Sequence, residues 1–128
     1  MTVLIAEDNV DNYELLKRRL ERLGIQTLWA QNGREAVDLG IQHLPQLILM
    51  DIAMPEMSGI DATKALREDA RTRSIPIIAV TAHADTFDRI RCLKAGCDAF
   101  AIKPINFSDL YGVMNDLMRS GRPSAMAS

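Results

Sequence analysis

Leu47-Ile48-Leu49-Met50-Asp51 decides the fold: four apolar side chains with no polar alternation run straight into a carboxylate. A strand with one face in water alternates apolar and polar residues. An unbroken run therefore reads as a strand covered on both faces, the condition of a parallel sheet between helical layers. The pattern recurs outward in both directions. Val3–Ala6 precedes the run, and Ile75–Val80 and Phe100–Ile102 follow it, each short and almost wholly apolar. Ile25–Ala30 mixes Gln26 and Thr27 with Leu28 and Trp29 and suits an edge strand.

Between the runs the apolar residues take a helical spacing. Tyr13, Leu16, Leu20 and Leu23 fall on one face before Gly24 stops the helix. Val37 and Ile41 mark a second helix, from near Gly33 to Pro45, which disfavours helical backbone in the residue before it. A third spans roughly Ile60–Glu68. Phe87, Ile90 and Leu93 stripe a fourth, ended by Gly96; Leu110, Val113, Met114 and Leu117 stripe a fifth, with Asn106 or Ser108 as its cap. Five β-α units in succession predict an α/β fold with an open parallel sheet and right-handed crossovers. Residues 1–119 are expected to form one domain, and residues 120–128, which lack apolar periodicity from Gly121 onward, a disordered tail.

Composition narrows the function classes. Of 128 residues, 48% are hydrophobic and 25% charged, too apolar for a mainly disordered chain. A net charge of -2 offers no basic excess to offset nucleic-acid phosphates. No apolar run approaches the roughly 18 residues of a membrane helix, and Met1-Thr2-Val3-Leu4-Ile5 lacks the basic flank of a signal peptide, so a cytoplasmic location is expected. Cys92 and Cys97 fit no metal or CxxC spacing and read as small reduced thiols at a helix end, with a redox switch as the alternative.

The polar residues at the strand ends carry the chemistry. Strand one runs into Glu7-Asp8, strand three into Asp51, strand four into Thr81 and strand five into Lys103. Each alone has an ordinary explanation as a helix cap, a turn residue or a solvated charge. Capping does not require all four strands to end this way, and ligand sites of open α/β sheets lie beyond the carboxyl ends of the strands. Three carboxylates gathered there repel: one pair about 4 Å apart costs on the order of 4 kcal/mol at an effective dielectric of about 20. A hard divalent cation removes that penalty, and an incomplete oxygen cage suits magnesium. A carboxylate nucleophile, a metal and a lysine describe phosphoryl transfer to Asp51.

The chain resembles the receiver domain of bacterial two-component response regulators over about residues 2–119. The resemblance is carried by Val3-Leu4-Ile5-Ala6-Glu7-Asp8-Asn9, Leu49-Met50-Asp51-Ile52-Ala53-Met54-Pro55-Glu56-Met57-Ser58-Gly59, Ala79-Val80-Thr81-Ala82 and Ala101-Ile102-Lys103-Pro104. It implies a doubly wound, flavodoxin-like α/β fold of strand order 2-1-3-4-5 with five helices on both faces. It implies Asp51 as phosphoacceptor from a histidine kinase or histidine phosphotransfer protein. Magnesium would be bound by Asp8, Asp51 and the Ala53 carbonyl, with Glu7 acting through a water. Lys103 would hold a phosphoryl oxygen, and Thr81 and Phe100 would switch together. Lys103-Pro104 matches a cis peptide and Gly59 a turn glycine, while Ala53 and His83 occupy positions that tune phosphoryl lifetime. The signal would pass through the face of helix four, strand five and helix five to a downstream protein, without nucleic acid or membrane. The chain would be a signalling switch rather than an enzyme in the metabolic sense, catalysing only its own phosphorylation and slow dephosphorylation. It matches a stand-alone receiver; a receiver cut from a hybrid kinase or multidomain regulator would read the same.

Competing readings fit less well. A hydrolase with an aspartyl-phosphate intermediate, of the haloacid-dehalogenase type, places a second acid where Ala53 stands. A nucleotide- or flavin-binding module needs a glycine-rich turn after strand one, and Glu7-Asp8-Asn9-Val10-Asp11-Asn12 has no glycine. A phosphorylation-independent binding module usually lacks acceptor or metal residues, which are all present. The receiver reading predicts that His83→Ala changes the decay rate of the phosphorylated chain; an unchanged rate removes His83 from the rate-tuning set.

Overall fold

Val3 and Ile5 project to one side of a parallel sheet and Leu4 and Ala6 to the other, and the alternation repeats along its central strands. The computed structural model describes residues 1–82 and 85–120. His83 and Ala84, and residues 121–128 of the expected tail, lie outside them. The elements run β1 (Thr2–Ala6), α1 (Val10–Glu21), β2 (Gln26–Ala30), α2 (Gly33–His43), β3 (Leu47–Asp51), α3 (Gly59–Glu68), β4 (Ile77–Thr81), α4 (Thr86–Ala95), β5 (Ala99–Ile102) and α5 (Phe107–Ser120). All strand pairs are parallel, in the order β2-β1-β3-β4-β5, which puts β2 at one edge, as its mixed composition suits, and at the other β5, whose apolar run reads as a covered strand but which is only partly buried because no strand flanks it on its outer side.

Two cores follow from the alternation. Val3, Ile5, Leu47, Leu49, Ile78 and Val80 pack against Tyr13, Leu16 and Leu20 of α1 and Leu110, Met114 and Leu117 of α5. Leu4, Ile48, Met50, Ile77 and Ala79 pack against Ala36 of α2, Ala62 and Leu66 of α3, and Cys92 and Ala95 of α4. β3 and β4 are buried along their whole length, as their unbroken apolar runs demand. Each helix opens on a side chain that accepts a backbone N–H three residues on: Asn9, Asn32, Ser58, Asp85 and Asn106. Of the two candidate caps for α5, Asn106 therefore holds the position. No helix among the described residues is long and apolar enough to cross a membrane.

Three expectations are corrected. Leu23 lies beyond the end of α1 and is 56% exposed, because the helix stops at Glu21 and the chain turns through Gly24 at φ 78°. The Phe87, Ile90, Leu93 stripe of α4 faces outward, at 69%, 44% and 62% exposure. α4 carries a second helical stripe, and its smaller members, Cys92 and Ala95, face the core. In α2 the fully buried face is Gly33, Ala36 and Gly40, with Val37 and Ile41 at its margin. Small residues let these two helices approach closely. A Cβ on Gly40 would come within 2.9 Å of the Leu66 side chain.

The strands' amino-terminal edge is held by an ion pair. Arg67, in the last turn of α3, donates to Asp98 Oδ2 at 2.9 Å, to the Gly96 carbonyl at 3.0 Å and to the Ile75 carbonyl at 2.7 Å. Asp98 Oδ2 also accepts the Ile77 N–H at 2.9 Å. One guanidinium thus ties α3 to the starts of β4 and β5. The Asp98 side chain is 3% exposed, and removing its cation leaves a buried, under-compensated charge. Arg67→Ala is expected to cost about 3 kcal/mol or more in urea unfolding; a loss below about 1 kcal/mol, the level of a surface pair, would contradict this role.

Candidate functional site

β1 and β3 are neighbours with Ala6 opposite Met50, so the residues that follow, Glu7 and Asp51, leave the sheet side by side. Both are almost fully buried, at 2% and 4% exposure, whereas Asp8 turns outward to solvent. Carboxylate oxygens of Glu7, Asp8 and Asp51 all lie within 4.8 Å of one another. Beyond β5, the Lys103 N–H donates to the Thr81 carbonyl at 2.8 Å, which brings the lysine to the end of β4. Its ammonium then donates to Asp51 Oδ2 at 2.9 Å and to Glu7 Oε1 at 3.0 Å. The Lys103–Pro104 peptide bond is cis.

The backbone orients the acids. Ala53 N–H donates to Asp51 Oδ1 at 3.0 Å, and Asn9 N–H to Glu7 Oε2 at 3.2 Å. Gly59 begins α3 directly under this loop, where a Cβ would strike the Asp51 carbonyl oxygen. The glycine is thus required by close approach rather than by a left-handed turn; in the same loop it is Glu56 that takes positive φ, at 65°. An open cleft of about 470 Å³ extends over the cluster, lined among others by Asp8, Asp51, Thr81 and Lys103, and from α4 by Asp88 and Arg91.

Burial raises the Glu7 carboxyl above its ordinary 4.5, outweighing the Lys103 ammonium and the Asn9 amide that pull it down. Burial acts to lower Lys103, but its bonds to Asp51 and Glu7 prevail and hold it above 10.5. The ammonium therefore stays charged at neutral pH. Away from the cleft, burial pushes Cys97 to about 12 and raises Cys92 as well, so both are free, protonated and weakly nucleophilic.

Glu7, Asp8, Asp51, Ala53, Thr81 and Lys103 thus line one cleft. Phe100 stands apart on β5, partly buried, with the Arg89 guanidinium 5.5 Å from its ring centroid. Sequence reasoning overlooked Asp88 and Arg91, whose signal was an acid–base pair at i, i+3 on α4, linked at 3.6 Å. It also overlooked Trp29, whose indole N–H donates to the Glu7 carbonyl at 2.8 Å. A lone aromatic at the end of an edge strand carried no hint of that bond.

An acidic trio beside a strand-end lysine thus sits at the carboxyl ends of a parallel sheet of order 2-1-3-4-5, and proteins of known family share that architecture. The chain matches the response regulator receiver domain over residues 3–115 and belongs to that family. It is 47% identical over 105 residues to the polar-differentiation response regulator DivK of Brucella anthropi, spanning 82% of this chain and 85% of that protein. Among solved structures, it is similar to the receiver domain of the sensor histidine kinase PA1611 from Pseudomonas aeruginosa, which has magnesium coordinated in its active-site cleft. That likeness has a TM-score of 0.87 at 32% identity, over 93% of this chain and 98% of that one. It is also similar, at TM-score 0.81 and 33% identity over 87% and 83% of the chains, to the Saccharomyces cerevisiae receiver domain of Ssk1 in complex with the phosphotransfer protein Ypd1.

The raised Glu7 carboxyl has a consequence for stability. A group whose pKa is higher folded than unfolded contributes stability that is fully present below its ordinary value, here 4.5, and is lost as pH rises through the folded value. Glu7→Gln imitates the protonated state. In EDTA at pH 7 it is expected to melt above the native chain, with the gap closing as pH falls toward 4.5; equal melting temperatures at pH 7 would refute the assignment.

Proposed function

We propose that this receiver is a phosphorylation switch that takes a phosphoryl group onto Asp51 from a sensor histidine kinase or histidine phosphotransfer protein. The observation that carries the reading is the Lys103 ammonium, 2.9 Å from Asp51 Oδ2 and 3.0 Å from Glu7 Oε1, beside a carboxylate trio. The donor set fits magnesium: all its side-chain atoms are oxygens, Asp8 is open to solvent, and the cleft leaves room for waters and phosphoryl oxygens. Asp8, Asp51 and the Ala53 carbonyl would hold the ion, with Glu7 reaching it through water. When bound, the ion offsets the carboxylate charges and those of the incoming phosphoryl group.

The chain's own residues supply the rest. The Ala53 N–H holds Asp51 Oδ1, which leaves the carboxylate oriented for in-line attack on phosphorus. Phosphorylation breaks the phosphorus–nitrogen bond of the donor histidine and forms a phosphorus–oxygen bond to Asp51. Lys103 exchanges a carboxylate partner for a phosphoryl oxygen, and the Thr81 hydroxyl turns toward the same group. Phe100 on neighbouring β5 responds to the movement of Thr81. The output face is α4–β5–α5, where Phe87, Ile90 and Leu93 already lie exposed. The likeness to the PA1611 receiver favours a second version of the reading, in which the same site serves within a hybrid kinase.

Acetyl phosphate with magnesium is expected to add one phosphoryl mass to the native chain, read by intact mass spectrometry. The gain should vanish in Asp51→Asn and with EDTA, and persist in Asp69→Asn, on a loop away from the cleft. No gain in the native chain would overturn the proposal.

A further inference from the structure

Trp29 packs against the core beside α1, but packing does not account for the bond its indole N–H makes. In parallel strands the N–H and C=O of one residue point to the same neighbour. The Glu7 N–H continues the β1–β2 ladder by donating to the Ala30 carbonyl at 2.9 Å. β2 ends at Ala30, so the Glu7 carbonyl has no further ladder donor on that side. A carbonyl at this depth needs a partner. Trp29 Nε1–H provides it at 2.8 Å.

The indole is itself fixed. Its ring stacks on Tyr13 with centroids 4.5 Å apart and an interplanar angle of 6°. The Tyr13 hydroxyl reaches Thr27 Oγ1 at 3.3 Å, which ties α1 back to β2. The Glu7 carbonyl and the Asp8 N–H belong to one rigid peptide plane. A donor that fixes the carbonyl therefore fixes the plane from which both acidic side chains depart.

We infer that Trp29, backed by Tyr13, is a positioning residue for the Glu7–Asp8 half of the cation site, so that cation affinity depends on the indole N–H. The inference rests on the reading of the acidic trio as a magnesium site. Partners one shell out from metal ligands commonly govern affinity by 10- to 100-fold, roughly, by holding the ligands in place. A donor acting through a backbone carbonyl belongs at the lower end of that range.

The test uses magnesium titrations followed by the backbone amide resonances of Asp8 and Ala53. Trp29→Phe keeps an aromatic ring against Tyr13 and removes the N–H; it is expected to weaken magnesium about tenfold. Leu16→Ala, in the same core layer but with no bond to the cleft, is expected to destabilise the fold and leave affinity within about twofold. With no cation present, Trp29→Phe should also speed hydrogen exchange at the Asp8 amide. In the native chain, which has a single tryptophan, the indole N–H resonance should follow the same binding curve as Asp8, a readout independent of any variant's folding. Unchanged affinity in Trp29→Phe, equal weakening in Leu16→Ala, or an indole signal indifferent to magnesium overturns the inference while leaving the cation site intact. A native chain whose amides do not respond to magnesium overturns the site itself, and the inference with it.

Discussion

Three carboxylates meet at the ends of two adjacent strands, two of them buried, and the Lys103 ammonium is the cation that makes this tolerable. Sheet geometry forces the crowding: β1 and β3 are parallel, in register and neighbours, so acids that follow their apolar runs emerge together. Repulsion among them is offset only in part. The Glu7 carboxyl remains above its ordinary range because a single ammonium shared between two acids does not cancel the cost of burial. The site is thus left with excess negative charge and an open side, a state that favours a further cation.

The same sheet is clasped at its other end by a bridge that does no chemistry. Arg67 pairs with Asp98 and donates besides to the Gly96, Arg73 and Ile75 carbonyls, while Asp98 Oδ2 also accepts the Ile77 N–H. Lys103 lacks such saturation; its stem enters from a loop beyond β5, and its head is shared rather than enclosed. The contrast follows from the two side chains. A planar guanidinium with five donors suits a permanent joint, whereas a compact ammonium can exchange one oxygen partner for another at little geometric cost.

What could be read from residues alone depended on how local the signal was. Three buried strands and the part-exposed edge strand β5 announced themselves as nearly unbroken apolar runs, and the acids, the threonine and the lysine were found because they directly abut those runs. α4 was misread because it carries two helical stripes, and periodicity does not tell which turns inward; Cys92 and Ala95 do, by being small. Leu23 continued a periodic pattern past the point where the backbone left the helix. Gly59 read as a turn glycine, yet what demands it is contact with the Asp51 carbonyl, visible only in three dimensions. The bonds of Trp29 to Glu7 and of Arg67 to Gly96 span 22 and 29 residues, and a side chain that donates to a distant backbone carbonyl leaves no spacing rule in the sequence.

The outward stripe of α4 gives the molecule its asymmetry. Burying one large apolar side chain is worth roughly 1.5–3 kcal/mol, and Phe87, Ile90 and Leu93 forgo most of that. The helix instead rests on the sheet through a thiol and a methyl group, where α3 on the same face contributes Ile60 and Leu66. Its first turn also lines the acidic cleft through Asp88, and Arg91 lies one turn further on. One helix therefore has an inner surface of small side chains, an end that lines the cleft, and an outer surface with apolar area to offer. On the phosphorylation reading proposed above, a change of charge at Asp51 would reach α4 through the cleft that Asp88 and Arg91 line, on the helix whose outer side chains have apolar area to offer.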